Sequence, residues 1–279
     1  MFCASHGAGT QITGEHLWSD WMGDYFPHDP GAERVEFMED LESERSMRPV
    51  KLERAKLGAA NKKKIYVVCD RCNSGWMSRL EKATKPTLVQ LITGVPTLLD
   101  DAAVQRLVNF VALKAMVAEH DVFKGRTPMP IYDSAARRRF MDTGIAPDGI
   151  RMWIGAGGGP KWRTGFYRFV SGVRLIKAPL GATVEPNFVR SGANIHSVTW
   201  GLGSCFFHVV ATTNMEFYRQ HGWDVPPGLF AIWPLQAGTL VWPPNFAFTD
   251  WAIDELSVSL RGLSKTFHKV ASDGTLLPP

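Results

Sequence analysis

Cys69-Asp70-Arg71-Cys72 is a C-x2-C turn that aims two thiols at one point. Cys3-Ala4-Ser5-His6 repeats the spacing with a histidine in second place. Two such turns supply four soft ligands, the number a closed tetrahedral zinc site needs. A redox pair would account for Cys69 and Cys72 but would leave Cys3 and His6 without a role. Structural zinc on Cys3, His6, Cys69 and Cys72 is therefore the expectation. Cys205 lies in the apolar run Ser204-Cys205-Phe206-Phe207 and reads as an ordinary buried thiol.

Between the two turns stands Glu15-His16. The imidazole of His16 can take a proton from water near neutral pH. The carboxylate of Glu15 is a hard oxygen donor for a divalent ion, which can neutralise a phosphorane and hold a leaving oxygen. On an extended segment neighbouring side chains point to opposite sides, so one can face an ion and the other the attacking water. Asn73 follows Cys72 directly, and Glu81 lies two helical turns further on, nearly on the same face. Each residue alone has an ordinary reading: a surface Glu-His pair, a helix cap, a solvated Glu81 paired with Lys85 at i+4. Together they offer a base, a hard oxygen ligand and an amide, groups that phosphodiester hydrolysis can use.

From Cys3 to about Gly94 the chain resembles the HNH (His-Me finger) endonucleases, carried by Glu15-His16, Cys69-x2-Cys72-Asn73 and Glu81. The phrasing EH…VVCDRCNSGWMSRLE is also similar to a group of bacterial and phage HNH proteins with a longer C-terminal region. The resemblance implies a ββα-metal core braced by zinc, DNA as substrate and His16 as general base. It further implies a catalytic divalent ion, Mg2+ or Mn2+, held by Glu15 with Asn73 and/or Glu81. Two departures stand out. The first turn ends in His6 where the family pattern has cysteine, and Glu81 stands where many relatives have His or Asn.

These residues need elements to place them. Residues 11–16 suit a short strand or turn, and Leu17, Trp18, Trp21, Met22 and Tyr25 follow at helical spacing. Residues 26–61 read as loop, with 23–61 as an insertion. Lys64–Cys69 reads as a strand running into the C-x2-C turn. Asn73 or Ser74 caps a helix carrying Trp76, Leu80 and Ala83, and Pro86 opens a second short helix ending near Gly94. Asp100–His120 carries a broad apolar face, and Ser134–Met141 reads as a short basic helix. Beyond it, residues 150–155, 166–176, 195–213, 228–234 and 240–242 are β-like. The fold expected is α+β: a zinc-braced HNH domain over 1–95, and an accessory helix-plus-antiparallel-β domain of unassigned role over 96–279.

Charge is informative by region. The net is +4 over 279 residues, but an acidic block at 33–44 precedes a basic one at 45–64. Arg45, Arg48, Lys51, Lys62, Lys63 and Lys64 are the candidate contacts to a DNA backbone, since clustered cations bind phosphate by counterion release. Trp153, Trp162, Arg163, Tyr167, Arg168 and Arg174 mix aromatic and basic residues and read as a strand face packed on helices. Gly155–Lys161 matches no phosphate-binding loop and reads as a turn. No apolar run approaches the ~20 residues that span a bilayer, and no signal peptide opens the chain, so a soluble cytoplasmic protein is expected. The alternative to a nuclease is a non-catalytic zinc-braced module that binds nucleic acid or protein.

Overall fold

The computed structural model describes residues 2–3, 10–26, 33–41, 49–57, 62–122, 127–157, 159–176, 187–220, 227–234, 239–260, 269–270 and 276–277. In chain order come β1 (Ile12–His16), β2 (Glu33–Leu41), β3 (Pro49–Leu57) and β4 (Lys64–Cys69). Next are α1 (Asp70–Cys72), a π-turn (Asn73–Met77), α2 (Ser78–Thr93), β5 (Thr97–Leu99), α3 (Asp101–Ala118) and α4 (Ser134–Thr143). The remainder holds β6 (Ile150–Gly157), β7 (Phe166–Ile176), β8 (Asn187–Leu202), β9 (Cys205–Thr212), α5 (Met215–Gln220), β10 (Phe230–Trp233), β11 (Leu240–Trp242), β12 (Ala247–Phe248) and α6 (Asp250–Ser257). Helix and sheet are mixed, as the α+β expectation requires.

β1 and β4 form a separate antiparallel ribbon, with Ile12 opposite Cys69 and His16 opposite Lys64. The register shifts between Thr13 and Gly14. A Cβ on Gly14 would lie 3.0 Å from the Lys64 Cβ, so the close strand approach there favours glycine. The ribbon runs straight into α1, the π-turn and α2.

The larger sheet has strand order β10-β6-β9-β8-β7-β2-β3, with β12 alongside β6. Strands β6, β8 and β9 alternate between two cores, as a pleat with both faces covered must. Met152, Ile154, Trp200, Phe207 and Val209 face one core; Trp153, Phe206 and Val210 face the other, to which α6 adds Ile253. α3 is buried nearly all round because it touches α2 and β4, while Phe110 stacks on Trp200 of the sheet. Trp18, just past β1, donates its indole N–H to the Gly201 carbonyl at 2.9 Å and packs on Phe166 and Trp200. Residues on both sides of position 95 thus share one core.

Several local expectations need correction. Residues 26–61, read as loop, contain β2 and β3, a hairpin that joins the large sheet by parallel pairing of β2 with β7. The acidic and basic blocks masked its strand pattern: charged residues fill alternate and successive positions, and charge reads as loop. The helix after Cys69 starts four or five residues earlier than expected, with Cys69 at its N-cap and Asn73 past its first turn. Pro86 opens no new helix; it sits within continuous α2, where its missing donor leaves the Lys82 carbonyl on an exposed side. α2 ends on Gly94 in the left-handed conformation at φ 71°. Residues 195–213, read as β-like, hold the end of β8 and all of β9, which turn at Gly203-Ser204. Trp153, Trp162, Tyr167 and Arg168 are buried, in keeping with a packed strand face.

Candidate metal centre and catalytic site

The two ends of the β1–β4 ribbon carry different groups. At the β4 end the chain turns into α1, and this turn brings the Cys69 and Cys72 thiols together. The Cys3 thiol joins them: the three sulfurs lie within 4.8 Å of one another, with Cys3 and Cys69 at 3.3 Å. None of the three forms a disulfide. Sulfurs on a tetrahedral zinc are separated by about 3.8 Å when Zn–S is about 2.3 Å, so the cluster fits a metal ion such as zinc. Cys69 and Cys72 are buried and Cys3 is half-buried. Burial, then the Cys69 and Cys3 thiols, push Cys72 up to about 12. A metal must therefore displace protons to bind. His6, the expected fourth ligand, lies outside the described residues.

Cys205 is not part of this cluster; it is buried on β9, and its thiol donates to the Leu202 carbonyl at 3.2 Å. Burial alone raises its pKa.

At the other ribbon end, residues of β1 alternate in direction. Glu15 and its partner Ile65 face inward and are buried. His16 and Gly14 lie on the opposite face with Lys64 and Tyr66, both exposed. Burial, then the nearby Lys64 and Lys114, hold His16 below its ordinary value; Asp20 and Glu15 act weakly the other way. The imidazole is thus neutral near pH 7 and able to accept a proton.

The inward Glu15 carboxylate meets the Lys114 ammonium, which comes from the middle of α3 and is itself buried. The same ammonium donates to the His16 carbonyl at 2.7 Å and lies 3.9 Å from the Glu81 carboxylate. Glu81 also accepts from the Trp21 indole N–H at 3.0 Å, and Lys85 stacks over that indole at 4.7 Å instead of pairing with Glu81. Asn73, in the π-turn, donates its amide to the Thr13 hydroxyl at 3.1 Å and the Gly14 carbonyl at 3.4 Å. It therefore straps the register shift immediately before Glu15-His16.

Glu15, the His16 carbonyl and Glu81 thus meet at one ammonium, while Asn73 reaches β1 further back, at Thr13 and Gly14. A single cation touches both Glu15 and Glu81, so the donor set and its spacing fit a positive ion. Here that ion is the chain's own ammonium. Sequence reasoning missed Lys114 and Trp21. The signal for Lys114 was a lone charge inside the apolar stretch Val111 to Ala118, because a buried lysine needs a partner.

The candidate phosphate contacts separate. Lys64 is exposed beside His16, and Lys62 is exposed and paired with Asp20 at 2.8 Å. Lys63 turns inward: its ammonium pairs with Asp121 at 2.5 Å and lies over the Phe166 ring. Arg45 and Arg48 lie outside the described residues, as does the Lys51 side chain. On α4, Arg137 is buried against Glu119 and the Met116 and Tyr132 carbonyls, so the basic appearance of α4 is partly internal.

No helix among the described residues is long and apolar enough to cross a membrane. No protein-family profile, no curated protein and no solved structure matches this chain.

Proposed function

We propose that this protein is a metal-dependent endonuclease of the HNH type that hydrolyses DNA phosphodiester bonds, with His16 as general base. The observation that carries this reading is the split at the end of β1. It turns a half-buried neutral imidazole outward beside an exposed lysine, and an acid inward toward a second acid. His16 takes the proton of a water whose oxygen then bonds to phosphorus, while the bond from phosphorus to the leaving sugar oxygen breaks and that oxygen takes a proton from solvent. Lys64 lies where it can meet the phosphate charge. Asn73 holds the bulge that aims His16. A divalent ion held by Glu15 and Glu81, with Asn73 beside them, would neutralise charge on the phosphate and favour the leaving oxygen. Structural zinc, held by the thiol cluster, would brace α1 against the ribbon and so help keep Asn73 on the strand it straps.

The test is cleavage of supercoiled plasmid by purified protein with and without Mg2+ or Mn2+, alongside His16→Ala. Cleavage that needs the divalent ion and is lost in the variant is expected; cleavage of equal rate in the variant would overturn the assignment. One observation favours a second reading, a non-catalytic zinc-braced module that binds nucleic acid or protein: the charge of Glu15 is already met by Lys114. That reading predicts tight zinc without cleavage of any plasmid or single-stranded substrate.

A further inference from the structure

We infer that Lys114 is the resident counter-cation of the Glu15–Glu81 pair, and that a divalent ion reaches these carboxylates only by displacing its ammonium. The inference deepens the nuclease reading, because it concerns the same acid pair. Lys114 is 1% exposed, yet it stems from a helix that is otherwise apolar at this level. A buried ammonium is stable only where partners replace its water shell. Here they are the Glu15 carboxylate, the His16 carbonyl and, at 3.9 Å, Glu81.

The two acids differ in access. Glu15 is 7% exposed in its side chain and Glu81 29%, so the site opens to solvent on the Glu81 side. A small divalent ion entering there meets Glu81 first and then competes for Glu15. A displaced ammonium keeps two partners, the His16 carbonyl and the face of Phe110 at 5.2 Å, so it need not return to water. Because Lys114 also grips the His16 carbonyl, arrival of the ion is coupled to the backbone that aims the proposed base. Lys114 is a positioning residue with a cation-gating role.

The experiment measures Mn2+ binding to the full-length, zinc-loaded chain by electron paramagnetic resonance, independently of cleavage. Lys114→Met frees the acid pair and raises Mn2+ affinity by about tenfold or more, as expected when a competing bound state is removed. Glu15→Gln combined with Lys114→Met loses that gain. Unchanged or weaker Mn2+ binding in folded Lys114→Met overturns the inference. If that variant does not fold, the wild-type chain labelled with 15N at lysine Nζ decides. The buried ammonium gives a slowly exchanging signal, assigned by its absence in Lys114→Arg, and Mg2+ shifts or abolishes it. A signal that survives saturating Mg2+ unchanged overturns the inference. The nuclease reading fails separately: an Mn2+ gain without cleavage by any form removes the nuclease and keeps the cation exchange. Cleavage lost in His16→Ala without any Mn2+ gain does the reverse.

Discussion

At the Ile12–Cys69 end of the ribbon three thiols meet, while at the His16–Lys64 end an acid, an imidazole and two lysines converge. The thiol end is mostly local, since two of its three sulfurs come from one turn. The charged end is assembled from four separate elements: β1, β4, α2 and α3. Soft neutral groups can wait for a metal, because protonated thiols cost little to bury. Carboxylates cannot, so the fold brings its own cation to them from α3. One ribbon thus joins a brace that metal completes to a site that the chain itself has already neutralised.

The largest effect should come from removing the outward imidazole. His16→Ala should lower plasmid cleavage by about 10²–10⁴-fold, the usual contribution of a general base, while metal content and thermal midpoint stay unchanged. Metal loss together with activity loss would merge the two ends into one structural unit. At the thiol end, Cys69→Ser should release the bound metal and lower the thermal midpoint together, read by elemental analysis and circular dichroism. The metal affinity of the wild-type cluster should also fall as pH falls, because protons compete for thiols such as Cys72.

Glu15→Ala sharpens the contrast from the charged side. It strands the Lys114 ammonium in the core, and breaking a buried pair in this way costs about 3–5 kcal/mol, measurable by urea unfolding. Metal content at the thiols should persist in the folded fraction. A cost near zero would show that Lys114 finds water and that the charged end is not sealed.

The large sheet and its helices provide a reference that belongs to neither end. His208 is brought down to about 4 by burial, and His120 to about 3 by burial and then by Arg137. Buried His196 lies well below its ordinary value for the same reason, with Arg168 and Arg137 adding to it. All three stay neutral in the fold while the unfolded chain takes up protons below pH 6.5. Their stability contribution is therefore present above pH 6.5 and lost as pH falls from there toward 4, by up to about 1.4 kcal/mol per pH unit for each group. Urea midpoints at pH 7.5 and 5 check this, and His208→Gln should flatten part of the slope. The smallest effect is expected from Lys62→Ala: its partner Asp20 is exposed, so the unfolding midpoint should not move.

How far each part could be read before folding follows from chain distance. The C-x2-C turn, helix α3 to within a residue or two at each end, and strand β7 with its bounds were all legible, because turns, periodicity and alternation are local. β2 and β3 were not, because their dense charge resembles loop composition and their pairing to β7 spans more than a hundred residues of chain. Glu81 was placed on the correct helix and turn, yet its partners were missed: Trp21 is 60 residues away.

The amino-acid sequence alone determined which chemistry the ribbon carries, since the thiols of Cys69 and Cys72 and the Glu15-His16 pair are set by spacings of a few residues. Only the tertiary structure decided what that chemistry meets. Lys114 lies 99 residues from Glu15 in the chain, and it reaches the acid because α3 is clamped between the ribbon and the large sheet. No local spacing encodes that contact. It follows from burying an apolar helix whose one lysine must find a carboxylate.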